Sequence, residues 1–310
     1  MTTPLLDVRG LRKSYGSVQA LRGLDLRVDA GRIFGVVGPN GAGKTTLFSL
    51  VCGFTAADAG EVRVAGQLVT PTTPPPRGSM AILPQDALLG SRPSIGAQLV
   101  FLARLGGMEA EEAKREARRV LALVDLSEVY DRRPHTMSHG MSKRVGIAQA
   151  FMGSPQLIIL DEPTAGLDPH AASDIRQLIR GIRGERTIVV SSHNLAEVED
   201  LCHEVAIVHE GAVVRQQTLA EVLGEAAQLI VRLSKPPSAA LMGALRSLNL
   251  FSEVVFDEGA DRLRVGFDPA HLSAGRAAKR LVNELVDRDV AFVELQVGKR
   301  LEDRFLEETA

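Results

Sequence analysis

Gly38-Pro39-Asn40-Gly41-Ala42-Gly43-Lys44-Thr45-Thr46 decides how the rest of this chain is read. The apolar run Ile33-Phe34-Gly35-Val36-Val37 precedes it, and the helix-compatible Leu47-Phe48-Ser49-Leu50-Val51 follows. A buried strand, a glycine-rich turn and a helix N-terminus, in that order, are the context a phosphate-binding loop needs. The glycines let successive backbone N–H groups curl towards one point, where the helix start adds unpaired donors and a partial positive charge. Lys44 supplies a point charge for β- and γ-phosphates, and the Thr45 hydroxyl suits Mg²⁺. An ordinary glycine-rich turn would not demand Lys then Thr after the last Gly.

A second signal lies further on. Leu157-Ile158-Ile159-Leu160 is a short apolar run that ends in Asp161-Glu162-Pro163. Such a run reads as a strand buried on both faces of a parallel sheet. Two carboxylates at its exit are costly unless they meet something cationic or hydrogen-bonded. Asp161 can hold a Mg²⁺ shell, and Glu162 can polarise a water for attack on a γ-phosphate. An N-cap for the next helix is the plainer alternative, and the phosphate loop argues against it.

With both motifs quoted, residues 5–218 resemble an ATP-binding cassette (ABC) ATPase, and the resemblance runs in order through the family's motifs. Tyr15, in Lys13-Ser14-Tyr15-Gly16, falls where the family places an aromatic that stacks on adenine. Gln85 falls at the glutamine that links Mg²⁺ to a helical subdomain. Met137-Ser138-His139-Gly140-Met141 occupies the place of the family signature. Asp168, in Ala165-Gly166-Leu167-Asp168-Pro169, lies in the loop that meets an opposite subunit, and His193 stands at the γ-phosphate histidine. The signature departs from the commonest form, which has two glycines and a glutamine after the serine. Ser138 and Gly140, whose hydroxyl and backbone N–H would face a γ-phosphate, are retained. Val145, Ala148 and Met152 recur at helical spacing behind them.

Composition narrows the classes. A chain of 310 residues is long for one core and fits two domains. Hydrophobic residues make up 45 %, enough to exclude disorder. Tryptophan is absent, aromatics are scarce and the net charge is −2, which together disfavour a nucleic-acid partner. Cys52 and Cys202 are too few for a disulfide framework and fit core residues in a reducing compartment. Neither a secretory signal nor the ~20 uninterrupted apolar residues of a bilayer-spanning helix is found, so no membrane crossing is expected.

Hydrophobic patterning then divides the chain. Leu24, Leu26 and Val28 alternate with charged residues as in a half-buried strand, and Glu61–Val64 with Gln67–Val69 read as a hairpin. Residues 94–136 are mostly helical, and Thr187–Val190 and Val205–Val208 return to strands. The expected fold is an α/β P-loop core with a mostly parallel sheet, an antiparallel β-subdomain and a helical subdomain inserted at about 94–155. Residues 225–310 carry their own β-α-β-β-α-β-α pattern, expected as a small α+β ferredoxin-like domain separate from a nucleotide-binding domain at 1–224. Its end, Arg300-Leu301-Glu302-Asp303-Arg304-Phe305-Leu306, resembles the terminal segment of ABC-2-type exporter ATPases, including drug-resistance and lipid exporters.

What the resemblance implies is an ATP- and Mg²⁺-dependent hydrolase that powers such an exporter from the cytoplasmic face of a membrane. Its partners would be transmembrane permease subunits, docked near residues 86–105, and a second cassette, expected as a homodimer. ATP would be clamped between Lys44 of one chain and Ser138, Gly140 and Met141 of the other. Glu162 would orient water, His193 steady the γ-phosphate, and Thr45, Gln85 and Asp161 manage the metal. Two alternatives share the motifs: a soluble ABC ATPase acting on nucleic acid or the ribosome, and an importer ATPase. The first typically carries long coiled-coil insertions or two cassettes in one chain, and neither is present.

Overall fold

The computed structural model describes residues 4–85, 87, 89–90, 92–182, 186–219, 221, 228–248, 250–257, 259, 261–268 and 271–298. The chain forms two compact units, Met1–Gln217 and Thr218–Ala310. The expected division at 224/225 falls within residues 222–227, which lie outside the described set.

In the first unit the strands β1 (Leu6–Tyr15), β2 (Val18–Val28), β4 (Ala59–Val64) and β5 (Gln67–Leu68) make a four-stranded sheet in the order β2-β1-β4-β5. It is antiparallel, with Leu6 opposite both Val28 and Val64. Leu24, Leu26 and Val28 point inward, so the alternation in the sequence marks the covered face. A second, six-stranded sheet holds β3 (Ile33–Val37), β6 (Met80–Leu83), β7 (Leu157–Leu160), β8 (Thr187–Ser192), β9 (Glu204–His209) and β10 (Ala212–Thr218) in the order β10-β9-β3-β8-β7-β6. β3, β7 and β8 are buried along their whole length and pair in parallel with their neighbours. Their unbroken apolar runs are what burial on both faces requires.

Parallel strands carry ligand groups at their C-terminal ends. Here those ends launch α1 (Lys44–Val51) after β3, the acidic pair after β7, and the loop to α6 (Leu195–Leu201) after β8. Between β6 and β7 come α2 (Ile95–Leu105), α3 (Ala110–Leu123) and α4 (His139–Ala150). Ser94 caps α2 through the Ala97 N–H, and Glu111 and Glu112 sit favourably in the first turn of α3. Ile95, Leu99, Ala117, Val120, Leu121 and Val145 close a core between the three helices. Met152 lies past the end of α4 rather than on it, because the helix stops at Ala150 and turns at Phe151. α5 (Pro169–Ile182) links β7 to β8. Both cysteines are buried, and burial pushes the Cys52 thiol up to about 12.

The second unit contains β11 (Gln228–Leu233), α7 (Ala239–Ser247), β12 (Phe251–Asp257), β13 (Arg262–Phe267), α8 (Ala274–Val286) and β14 (Phe292–Val297). Its antiparallel sheet runs β12-β13-β11-β14, the ferredoxin-like order for a β-α-β-β-α-β chain. Leu229, Val231, Leu241, Leu245, Leu263, Val265, Leu281 and Leu285 form a core of its own. The expected final helix over Leu301–Phe305 lies outside the described residues. Among the described residues no helix is long and apolar enough to cross a membrane.

Candidate nucleotide site

The loop after β3 depends on its glycines. Gly43 has φ +105, and a Cβ there would lie 2.7 Å from the Ala20 carbonyl oxygen; at Gly38 a Cβ would lie 2.2 Å from the Val208 carbonyl oxygen. Only glycine lets the loop pass between β2 and β9. Gly43 leads straight into α1 without a side-chain cap, so the first N–H groups of the helix have no acceptor within it. They border an open cleft of about 500 Å³ lined by Asn40, Gly41, Gly43, Lys44, Thr45 and Thr46, with Gln85, Asp161 and Glu162 across from them. Pro39 and Ala42 shape the turn from behind, the Ala42 N–H donating to the Pro39 carbonyl at 3.2 Å.

Lys44 is 6 % exposed; its Nζ donates to the Gly38 carbonyl at 2.7 Å and the Pro39 carbonyl at 3.2 Å. It also stands 3.6 Å from Glu162 Oε1. An ammonium so surrounded is fixed in place rather than solvated.

The acidic pair is equally enclosed, with Asp161 3 % and Glu162 5 % exposed. Asp161 accepts from Thr45 Oγ1 at 3.2 Å and from Ser191 Oγ at 2.5 Å. Ser191 Oγ accepts in turn from the Glu162 N–H at 2.8 Å, so one hydroxyl orders both acidic residues. Glu162 has φ +49, a left-handed backbone that a non-glycine residue keeps only where its surroundings impose it. Its Oε2 lies 2.6 Å from His193 Nδ1. A carboxylate can only accept, so the ring hydrogen sits on Nδ1. Ser191 was not among the candidate residues. Its signal was the pair of small polar residues, Ser191-Ser192, ending an otherwise apolar strand.

The remaining candidates are placed differently. Tyr15 is 52 % exposed and does not line the cleft; its strand partner Val18, with Gln19, Ala20 and Arg22, does. Gln85 borders the cleft, and its main-chain carbonyl accepts from Lys143 Nζ of α4 at 2.8 Å, a link from the site to the helical block. Ser138, Gly140 and Met141 are absent from the cleft. The Ser138 hydroxyl caps α4, accepting from the Met141 N–H at 3.2 Å. Asp168 begins α5, accepting from the Ala171 and His170 N–H groups at 3.0 Å, and the Ala171 bond first of all holds its carboxyl below the usual range. A larger cleft of about 640 Å³ lies alongside, lined by Leu83, Pro84, Leu89, His135, His139 and Gly166 among others. It contains neither the acidic pair nor Lys44, so the chemistry belongs to the smaller one.

Among the described residues no group of three or more His, Cys, Asp or Glu side chains could hold a metal. The donor set at the cleft, a hydroxyl, a carboxylate and an amide, instead fits a hard cation that keeps phosphate and water ligands.

A family model described as ABC transporter matches residues 21–165. The chain is 31 % identical over 310 residues to the Nod factor export ATP-binding protein I of Rhizobium meliloti (strain 1021), covering 97 % of this chain and 90 % of that protein. The chain belongs to the ABC transporter family. It is also 29 % identical over 306 residues to the linearmycin resistance ATP-binding protein LnrL of Bacillus subtilis (strain 168), with 97 % of each covered. Among solved structures it matches cbiO1 from Clostridium perfringens, part of the ABC transporter complex cbiONQ. The TM-score is 0.65 and the identity 29 %, covering 72 % of this chain and 92 % of that one. This chain is accordingly an ATP-binding and ATP-hydrolysing ABC cassette.

Proposed function

We propose that this ABC cassette powers an ABC-2-type exporter from the cytoplasmic face of a membrane, hydrolysing ATP between two cassettes. The observation that carries the reading is Glu162: a buried carboxylate that shares one cleft with Lys44 and Thr45 and is held by His193. The names of the two relatives, one in Nod factor export and one in linearmycin resistance, support the direction of transport. The test is phosphate release from ATP by the purified chain and its Glu162 variant, argued in the Discussion.

The steps follow from the groups in place. A polyphosphate takes over Lys44 from the loop carbonyls and from Glu162 Oε1, and the backbone N–H groups at the start of α1 receive its oxygens. Oε1 is thereby released to accept a hydrogen bond from a water, while His193 keeps hold of Oε2. The water, so oriented, attacks the γ-phosphorus and gives its proton to Glu162 Oε1; the bond to the bridging oxygen breaks, leaving ADP and phosphate, and Glu162 then releases the proton to solvent. Thr45, Asp161 and Gln85 would hold Mg²⁺, which neutralises phosphate charge. Tyr15 remains the proposed adenine contact at the end of the β1–β2 hairpin. Ser138, Gly140 and Met141, away from the cleft of their own chain, are offered to the nucleotide of a second copy, with Asp168 in the facing loop.

The permease-docking proposal is sharpened by α2. Within the stretch 86–105, Ile95 and Leu99 are fully buried and belong to the cassette's own core, and Leu88 lies outside the described residues. Phe101 and Leu105 are 62 % and 60 % exposed and lie one turn apart on the same helix. We expect Phe101→Glu or Leu105→Glu to abolish transport in membranes while the purified cassette keeps its ATPase rate. Transport retained in both variants would exclude this face.

A division of labour between the domains is proposed as well, because the second unit has its own core. Truncation near Gly224 should leave a soluble cassette with near-normal ATP affinity and impaired pairing or regulation. Insolubility, or loss of nucleotide binding, would show that the tail completes the catalytic fold.

A further inference from the structure

We infer that Glu197 is a positioning residue for ATP hydrolysis, a carboxylate bridge that holds the two loops carrying Glu162 and His193 in register. The inference rests on the reading of those two residues as the water-orienting pair. Parallel pairing between β7 and β8 ends at Leu160 opposite Val190. Past that point the acidic pair and His193 leave the sheet on separate loops. Ser191 ties the near end of one loop to the other through Asp161 and the Glu162 N–H.

Glu197 ties the far end. Its Oε2 accepts from Thr164 Oγ1 at 2.7 Å and from Ser192 Oγ at 3.2 Å. Thr164 is two residues past Glu162, and Ser192 immediately precedes His193. Ser192 Oγ also accepts from the Asn194 N–H at 2.9 Å, while its own hydrogen goes to Glu197. On the other side, Arg176 of α5 donates to Glu197 Oε1 at 3.2 Å, and its Nε donates to Asp200 Oδ2 at 3.2 Å. Both oxygens are therefore occupied, and Glu197 is only 17 % exposed.

A carboxylate needed merely to seat α6 on α5 would be satisfied by Arg176 alone. This one spends its second oxygen on two hydroxyls, one from each active-site loop. The Glu162 and His193 loops are thus joined by two bridges, one through Ser191 and one through Glu197. Neither Glu197 nor its hydroxyl partners line the cleft beside the phosphate loop, so ATP affinity is expected to survive their loss.

The test is steady-state ATPase of the full chain, with nucleotide affinity measured in parallel. Glu197→Ala should lower kcat about 10- to 100-fold, the size of loss a misplacement of about 1 Å can cause, at unchanged ATP affinity. Thr164→Val with Ser192→Ala should reproduce that loss, and adding Glu197→Ala to the pair should lower kcat little further, since all three remove one bridge. Glu197→Gln, whose amide oxygen can still accept from both hydroxyls although its NH2 can no longer accept from Arg176, should recover most of the rate even should Glu197→Ala fold poorly. An unchanged kcat in Glu197→Ala, or a Thr164→Val/Ser192→Ala pair as active as the parent, would overturn the bridge while Glu162→Gln stays inactive. Full turnover in Glu162→Gln would overturn instead the assignment on which the bridge rests.

Discussion

Glu162→Gln is expected to bind ATP and fail to turn it over. The amide has the size of the carboxylate and can still meet His193 Nδ1 through its oxygen, so the left-handed turn at residue 162 and the 2.6 Å contact need not change. Lys44, the Gly38 and Pro39 carbonyls and Thr45 are untouched. Removing a negative charge 3.6 Å from Lys44 can only favour an incoming polyphosphate. What disappears is an anionic acceptor for the attacking water, and general bases of this kind are worth about two to four decades in rate. Phosphate release should fall by that factor while ATP affinity holds or improves. Undiminished turnover would remove Glu162 from the chemistry and leave its burial beside Lys44 as a structural ion pair.

Lys44→Met should produce the opposite pattern, a loss of binding rather than of chemistry alone. Methionine keeps most of the aliphatic stem within a pocket where Lys44 is 6 % exposed, but removes the charge and all three donors. Truncating one member of a buried charged pair costs about 2–5 kcal/mol, which is at least some 30-fold in affinity. The same change strands Glu162 Oε1, so a lower melting temperature is expected as well. Calorimetric titration with ATP and ADP reads both affinities; each should weaken by about two decades, because both nucleotides carry a β-phosphate. An affinity equal to that of the parent would mean that the loop carbonyls and Glu162 hold Lys44 for stability only.

Much of this site was legible because each motif couples a backbone demand to a chemical group. Gly38 and Gly43 are required by carbonyls less than 3 Å from where a Cβ would stand, and Lys44 and Thr45 follow at the helix start. The apolar strand β7 announces the depth at which Asp161 and Glu162 emerge. Glu197 was hidden for a physical reason. With Asn194 three residues before it, it has the spacing of a capping box, and Asn194 does cap α6. Its side chain nevertheless turns away to Thr164, Ser192 and Arg176, contacts that arise only once β7, β8 and α5 are assembled. On α2 the apolar residues encircle the helix. Ile95, Leu99 and Ala103 recur at one face and are buried, while Phe101, two positions on from Leu99 and about 200° round the axis, is exposed. Composition alone cannot separate the two sets. In the second unit the last strand of the expected pattern is β14, where Val293 and Val297, at the sheet edge, stay 58 % and 46 % exposed.

The central claim is that hydrolysis occurs between two cassettes, since Ser138, Gly140 and Met141 lie outside the cleft that holds Lys44 in their own chain. It is tested most directly by the solution mass of the Glu162→Gln chain, measured by light scattering with ATP and with ADP. The account predicts a complex of twice the 33.3 kDa chain mass with ATP, carrying one nucleotide per chain, and a single chain with ADP. A variant that binds ATP tightly and remains a single chain at every protein concentration would contradict it.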